Sequence, residues 1–245
     1  MRLFLIALQF LTIIPLPFAV RCEEKDLGRS MAFFPLVGLF LGALLVGADF
    51  LLTLRFPRPV ADLLLITLLA AVTGALHLDG LADVCDGLAA RGGRERFLAV
   101  MKDSRIGAVG VVGLVLGLLL KYQALLHIPL EQKREVLLFF PMIARFSQVQ
   151  MTVGANSARD EGLGSVFVGT AGIWQFIFAG GVTLAGAWLL LGLRGIYCCL
   201  AVYLFTWGLK WWFHRKLGGI NGDIIGCASE LNEILVLLVL LALLR

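Results

Sequence analysis

The chain has 245 residues, of which 60% are hydrophobic and 16% are charged, and its formal net charge is +4. Soluble globular domains are about 45–50% apolar, so this composition argues against a soluble enzyme and favours a polytopic membrane protein. The small net charge gives no indication of nucleic-acid binding. The five cysteines are irregularly spaced and predict no disulfide framework.

The apolar runs predict one all-α integral membrane domain over residues 1–245, a polytopic helix bundle with about seven transmembrane helices. The N-terminal run ends before Pro15 and Pro17, and it predicts an additional interfacial or half-inserted helix. Glycines that recur at a spacing of about four residues allow close packing of helices in lipid. The seven spans are predicted at residues 31–54, 59–76, 106–120, 136–154, 169–193, 195–209 and 223–244.

The distribution of positive charge predicts the orientation of the bundle. If the loop that carries Asp79 is cytoplasmic, that face holds twelve Lys and Arg residues against seven on the other face. The positive-inside rule favours this arrangement. It also places the polar, glycine-rich segments 77–107, 154–165 and 217–233 on the same side, which predicts a site at the cytoplasmic face.

The most informative motif is HLDGLADVCDG, at residues 77–87. Asp79, Asp83 and Asp86 are separated by four and three residues, so a helix places the three carboxylates on one face. Three like charges at a membrane border repel one another and stay ionised together when a cation lies among them. The motif therefore predicts a divalent metal site formed by these three residues.

The following loop, RGGRERFLAVMKDSRIG at residues 91–107, carries five basic residues and two acids. A solvated positive loop explains the charge alone, but two details favour phosphate binding. Gly92 and Gly93 let backbone N–H groups approach an anion, and a helix that begins near Ile106 presents its positive N-terminus. The candidate phosphate ligands are Lys102, Arg105, Arg91 and Arg94, with Asp103 and Ser104 between them.

Other charged and polar residues are candidates with open alternatives. Asp223, Glu230 and Glu233 would either cap a helix or bind a second metal or a substrate hydroxyl. Arg145 lies inside an apolar span, where it would pair with Asp49 or Asp62 or contact a phosphate. Three further candidates are His77, as a ligand, a base or a structural residue, and Arg159 and Glu161, as loop surface or site wall.

Several blocks of the sequence together resemble the adenosylcobinamide-GDP ribazoletransferase family, also called cobalamin-5′-phosphate synthase. They are ALQFLTIIPLP, FPLVG, HLDGLAD, MKDSRIGAVG, ARDEGLG and GGINGDIIG, followed by Glu230 and Glu233, and they run from residue 7 to about 240. HLDGLAD and MKDSRIG in this order are highly specific. A shorter block, DVCDGLAAR, also resembles the first half of the CDP-alcohol phosphotransferase motif. The second half of that motif does not follow in this sequence at the expected spacing.

The resemblance implies an enzyme of the bacterial inner membrane that joins adenosylcobinamide-GDP to α-ribazole or its 5′-phosphate and releases GMP, with Mg²⁺ as cofactor. By its matching motifs, the resemblance also implies which residues form the site. They are Asp79, Asp83 and Asp86 in the acidic cluster, Lys102, Asp103 and Arg105 in the KDSR block, and Asp223 and Glu230 in the last block. Asn221 stands where the family pattern leads us to expect Thr. The enzyme would contact membrane lipid, and the sequence leaves a homo-oligomer open.

The residues and the resemblance agree on one chemistry. Mg²⁺ would bridge a diphosphate to the acidic cluster, while Lys102 and Arg105 hold the phosphates. Asp86 or Asp103 is the candidate general base for the attacking hydroxyl. The alternatives are a membrane phosphotransferase of the CDP-alcohol type and, less favoured, a transporter.

Overall fold

The computed structural model describes residues 1–159 and 162–244, and these residues form helices and loops without a β-strand. The predicted all-α class is confirmed. A short 3₁₀ turn, Met31–Phe33, joins the second helix to the third. The helices are α1 (Arg2–Leu11), α2 (Glu24–Ser30), α3 (Phe34–Thr53), α4 (Arg58–Val72), α5 (Leu76–Ala89), α6 (Gly93–Val100), α7 (Ala108–Leu126), α8 (Leu130–Thr152), α9 (Leu163–Thr170), α10 (Ile173–Leu191), α11 (Leu193–Leu217) and α12 (Gly222–Leu243).

The predicted membrane helix bundle is confirmed, and the structure refines its number of spans. Five segments of the described chain are long and apolar enough to cross a membrane, and the bent pair of α4 and α5 would make a sixth. The predicted span at 136–154 corresponds to α8, which carries Arg145 and several other polar residues and is buried along most of its length. The five segments are Glu24–Thr53, Ala108–Leu126, Ile173–Leu191, Leu193–Leu217 and Gly222–Leu243.

A sharp bend separates α4 from α5. Gly74 and Ala75 both have left-handed backbone conformations, with φ of 60° and 55°, and the two helix axes differ in direction by 89°. Consecutive left-handed residues end a right-handed helix and redirect the chain. This turn sets the direction of α5, which carries the acidic motif.

The two most buried helices, α8 and α12, form the centre of the bundle. α8 packs against α3, α10, α11 and α12, and α12 also contacts α5 and α7. Gly38 and Gly42 of α3 face the backbone of α8 near Pro141 and Leu137, where a side-chain carbon would collide. The predicted role of these glycines in close helix packing is therefore confirmed.

A partly buried ion cluster links α3, α4 and α8 at the end of the bundle where α4 begins. Arg58 lies 2.5 Å from Asp49 and 3.1 Å from Asp62, and the Lys133 ammonium lies 2.8 Å from Asp62. Asp62 thus has basic partners from α4 and α8, and Asp49 has one from α4. The predicted pairing of Arg145 with Asp49 or Asp62 is wrong, because these nearer cations already occupy both carboxylates.

Candidate active site

The three polar segments predicted to lie on one face meet at one end of the bundle. Gly80 of α5 packs directly on the backbone of Asp223, at the start of α12. The loop after α8 joins the same region, because the Ala158 N–H donates to the Ile220 carbonyl at 2.8 Å. Residues far apart in sequence therefore build one surface, as the sequence predicted.

The acidic motif lies on α5 and faces this surface. Asp79 is exposed, whereas Asp83 and Asp86 are half-buried. Asp83 experiences the negative charges of Asp79, Asp223 and Asp86, with Arg159 as the opposing cation. Within residues 1–159 and 162–244, no three His, Cys, Asp or Glu side chains converge closely enough to hold a metal by themselves.

Asp86 has two strong backbone partners at the start of α7. Its Oδ2 accepts the Gly107 N–H and its Oδ1 accepts the Gly110 N–H, both at 2.7 Å. Side chains at these two glycines would collide with the carboxylate. The helix N-terminus that the sequence offered to a phosphate is therefore satisfied by a protein carboxylate.

Asp86 also lines an open cavity of about 660 Å³ together with Asp103, Arg105 and two further arginines, Arg91 and Arg96. Arg105 donates to the Asp103 carboxylate through its guanidinium, at 3.0 and 2.7 Å, and through its backbone N–H, at 3.1 Å. These bonds hold the pKa of Asp103 at about 2. Asp103 is thus a weak proton acceptor, and its partner Arg105 is held at the cavity edge.

The other predicted phosphate ligands have different positions. Arg94 donates from Nε to the Leu217 carbonyl at 2.7 Å and from Nη2 to the Ala158 carbonyl at 3.3 Å, so it ties α6 to α11. Lys102 and Ser104 are exposed on the loop before α7. Arg96, which the sequence analysis did not single out, takes the place at the cavity that was expected for Arg94.

A second, smaller cavity of about 270 Å³ lies at the Asp79 end of the motif. Its polar wall contains Asp79, Arg159, Asn221 and Asp223. Arg159 lies 3.4 Å from Asp223 and also donates to the Leu98 carbonyl at 3.0 Å. The candidate Glu161 falls outside the described residues.

Asn221 orients this wall from the N-terminus of α12. Its Oδ1 accepts the Ile224 N–H at 3.0 Å, and its Nδ2 donates to Asp223 at 2.9 Å. Asn221 is therefore a helix N-cap that also positions the Asp223 carboxylate. Threonine could cap the helix but could not donate through an amide, so the departure from the family pattern changes how Asp223 is held.

His77 is buried beside the same cavity. Its Nε2 lies 3.0 Å from Nε2 of Gln148, which also donates to Ser229 at 2.9 Å. Gln148 lines the cavity as well and was not a sequence candidate, because a glutamine in an apolar span carries no distinctive signal. The contact joins α5 to α8 and α12.

Glu230 and Glu233 belong to an ion network inside the bundle. The Lys121 ammonium lies 2.6 Å from both carboxylates, and Arg145 pairs with Glu233. Two acids and two bases balance in charge, and all four side chains are less than 9% exposed. The structure thus gives Arg145 and both glutamates partners within the protein, away from the open cavity.

Comparison with known proteins relates this geometry to a family. A family profile described as cobalamin-5-phosphate synthase matches residues 3–241. The chain belongs to this family. An adenosylcobinamide-GDP ribazoletransferase of Geotalea daltonii is 69% identical over 242 residues, covering 99% of this chain and 98% of the relative.

More distant members of the cobalamin-5-phosphate synthase family match almost as completely. Proteins of the same name from Acetivibrio thermocellus and Klebsiella pneumoniae are each 37% identical, and they cover 94% and 97% of this chain and 93% and 98% of their own lengths. The comparison with solved structures finds no significant match. The chain is therefore a transferase of cobalamin biosynthesis, as the sequence motifs predicted.

Proposed function

We propose that this enzyme transfers the cobinamide phosphate of adenosylcobinamide-GDP to α-ribazole or its 5′-phosphate. A ribose hydroxyl of the ribazole forms a new bond to the cobinamide-side phosphorus. The bond from that phosphorus to the GMP oxygen breaks, GMP leaves, and the hydroxyl proton passes to a base. The product is adenosylcobalamin or its 5′-phosphate. The names of the relatives support both substrates.

The observation that carries this proposal is the placement of two unlike cavities along α5. Asp79 lines the small cavity, and Asp86, seven residues further along the helix, lines the open one. A rise of 1.5 Å per residue separates these positions by about 10 Å. Two substrates bound at the two ends would meet near Asp83, which lies between them.

The open, arginine-lined cavity suits the activated nucleotide. Arg91, Arg96 and Arg105 present three guanidinium groups whose planar donors match phosphate oxygens. The cavity opens to the surface, so a large corrinoid can extend away from it. Of the two predicted proton acceptors, Asp86 has a place at this cavity, whereas the low pKa of Asp103 makes it the weaker base.

The acidic residues fit a magnesium cofactor. Among the described residues, Asp83 has three acidic neighbours and one opposing cation, so a divalent ion would relieve their repulsion. Asp79 and Asp83 would hold Mg²⁺, which prefers one or two carboxylates plus waters and substrate phosphates over a cage of protein ligands. When bound, Mg²⁺ neutralises the charge that develops on the diphosphate oxygens.

We further propose that the site faces the cytoplasm from the bacterial inner membrane. The segments that carry the predicted excess of Lys and Arg include residues that line both cavities, which supports this orientation. Exposed apolar side chains on α7, α10 and α11 support contact with membrane lipid along the sides of the bundle.

The test is GMP release by the purified enzyme in detergent or nanodiscs, with adenosylcobinamide-GDP, α-ribazole and Mg²⁺. We expect GMP and the corrinoid product in equal amounts, and no GMP when either substrate or Mg²⁺ is left out. A parallel reaction contains CDP-diacylglycerol and an alcohol acceptor. CMP release from that mixture, without GMP release from the first, would replace the proposed function with the CDP-alcohol alternative.

A further inference from the structure

The small cavity at the Asp79 end of α5 has two chemically different walls. One wall is polar and includes Asp79, Arg159 and Asp223. Another part of the lining, the aromatic wall, contains Phe10 from α1, Phe34 from α3 and Phe167 from α9. Such a cavity suits a ligand with a flat apolar part and a hydroxyl-rich part.

The aromatic wall is a packed cluster rather than three separate rings. The centroid of Phe10 lies 4.7 Å from that of Phe167 and 6.0 Å from that of Phe34. The Phe34 and Phe167 rings meet at 70°, with centroids 5.9 Å apart. Rings held by one another in this way form a firm apolar surface for a planar heterocycle.

His77 adds one polar group to this cavity. It is 4% exposed, and within the described part of the chain its Nδ1 has no hydrogen-bond partner. Its Nε2 faces the side-chain nitrogen of Gln148, which can only donate. With the Gln148 amide in this orientation, His77 Nε2 accepts the hydrogen bond and the neutral ring carries its proton on Nδ1. His77 is one of the residues that line the cavity, so an imidazole with an unused N–H donor lies beside the bound ligand.

Buried donors without partners are rare, and a bound ligand is one way to satisfy them. We propose that the small cavity binds the base and ribose of the acceptor nucleoside, with Nδ1–H of His77 donating to the ring nitrogen that carries no sugar. This inference rests on the proposed function and adds the location and recognition of the second substrate. The ribose then extends toward Asp79, at the start of the acidic motif.

Size and polarity distinguish the nucleoside from the other substrate. A volume of about 270 Å³ is too small for a corrin ring with its side chains. Guanine carries an exocyclic amine and a carbonyl on its ring edges, and Phe10, Phe34 and Phe167 offer these groups no hydrogen bonds. Ribazole carries a benzimidazole, whose fused ring has one free acceptor nitrogen and an otherwise apolar edge.

The first experiment uses the wild-type protein in nanodiscs without adenosylcobinamide-GDP. Calorimetry measures the binding of α-ribazole and of the matching indole riboside, in which a C–H group replaces the acceptor nitrogen. We expect the indole riboside to bind on the order of tenfold more weakly, because it leaves the His77 donor unpaired. Equal affinities, or displacement of α-ribazole by GMP, would overturn the inference.

Two substitutions at His77 separate its two ring nitrogens. His77→Asn keeps an amide donor near the position of Nδ1, whereas His77→Gln reaches toward Gln148 and removes the donor. We expect the Asn variant to keep most of the preference for α-ribazole and the Gln variant to bind both ribosides within about threefold of each other. An unchanged preference in the Gln variant would contradict the assignment.

The outcomes for the cavity and for the reaction can be told apart. GMP release by an enzyme that binds both ribosides equally overturns the cavity assignment and leaves the proposed function standing. A preference for α-ribazole that depends on His77, without GMP release in the complete reaction, supports the cavity assignment and overturns the proposed function.

Discussion

The backbone N–H of Gly110 donates to Oδ1 of Asp86 at 2.7 Å, so the acidic motif of α5 holds the first turn of α7. The Gly107 N–H makes the matching bond to the other carboxylate oxygen. Asp86 therefore has a structural role at the very position where the sequence predicts a metal ligand and base. A carboxylate has lone pairs beyond these two bonds, so the two roles are compatible.

Gly110→Ala tests how closely α5 and α7 must approach. A methyl group there would collide with the Asp86 carboxylate, so we expect a loss of about 1–3 kcal/mol in stability and at least a tenfold loss in GMP release. The control is Gly181→Ala in α10, where an added methyl group meets nothing within 4 Å. Thermal unfolding in detergent and initial rates measure both effects. If the two variants behave alike, the contact is not needed.

Arg105→Ala tests the arginine-lined cavity. We expect the KM for adenosylcobinamide-GDP to rise, with little change in the KM for α-ribazole, because the lost guanidinium lies at the open cavity.

Asp103→Asn should leave the acid limb of the pH–rate profile unchanged. With a pKa of about 2, Asp103 is already ionised throughout the range from about pH 5 to pH 8. An acid limb that disappears in Asp103→Asn would restore it as the base.

Glu233→Gln tests whether the buried ion network is structural. The substitution leaves the positive charges of Lys121 and Arg145 facing only Glu230, and we expect a loss of about 3–5 kcal/mol in stability. The double variant Arg145→Met with Glu233→Leu leaves the Lys121–Glu230 pair balanced, so it should recover most of that loss. Thermal unfolding checks both variants. A stable Glu233→Gln protein without activity would instead place Glu233 in the site.

The shared face of the acidic motif could be predicted from local sequence, whereas the pairing inside the bundle depends on tertiary packing. The spacing of Asp79, Asp83 and Asp86 follows helical geometry, so their shared face was readable from local sequence. Arg145 and Glu233 are 88 residues apart, and only the packing of α8 on α12 brings them together. No local pattern signals such a pair, so the sequence offered no reason to prefer Glu233 over Asp49 or Asp62 as the partner of Arg145.

The cavities depend even more on tertiary structure. The small cavity combines Phe10, Phe34 and Phe167 from three separate helices, and each of them reads in the sequence as an ordinary apolar residue. The direction of α5 depends on the left-handed backbone of Gly74 and Ala75. A glycine in the sequence can indicate such a turn. Alanine rarely adopts a left-handed conformation, so Ala75 does not predict one.

Cys22 provides a test of the proposed orientation. It is the one exposed cysteine among the five thiols, and Cys198, Cys199 and Cys227 are buried. A membrane-impermeant maleimide should label the protein in inside-out inner-membrane vesicles but not in right-side-out vesicles. Cys22→Ser should remove the label. Labelling from the periplasmic side alone would reverse the proposed orientation.

The most direct test of the central claim is Mn²⁺ binding, measured by electron paramagnetic resonance in the presence of adenosylcobinamide-GDP. Mn²⁺ uses the oxygen ligands that suit Mg²⁺. We expect tight binding to the wild-type enzyme and to Glu131→Gln, a control carboxylate in the first turn of α8. Asp83→Asn should bind Mn²⁺ at least about tenfold more weakly and lose more than about 10²-fold in turnover. Equal Mn²⁺ binding by Asp83→Asn and wild type would contradict a metal held by the acidic motif.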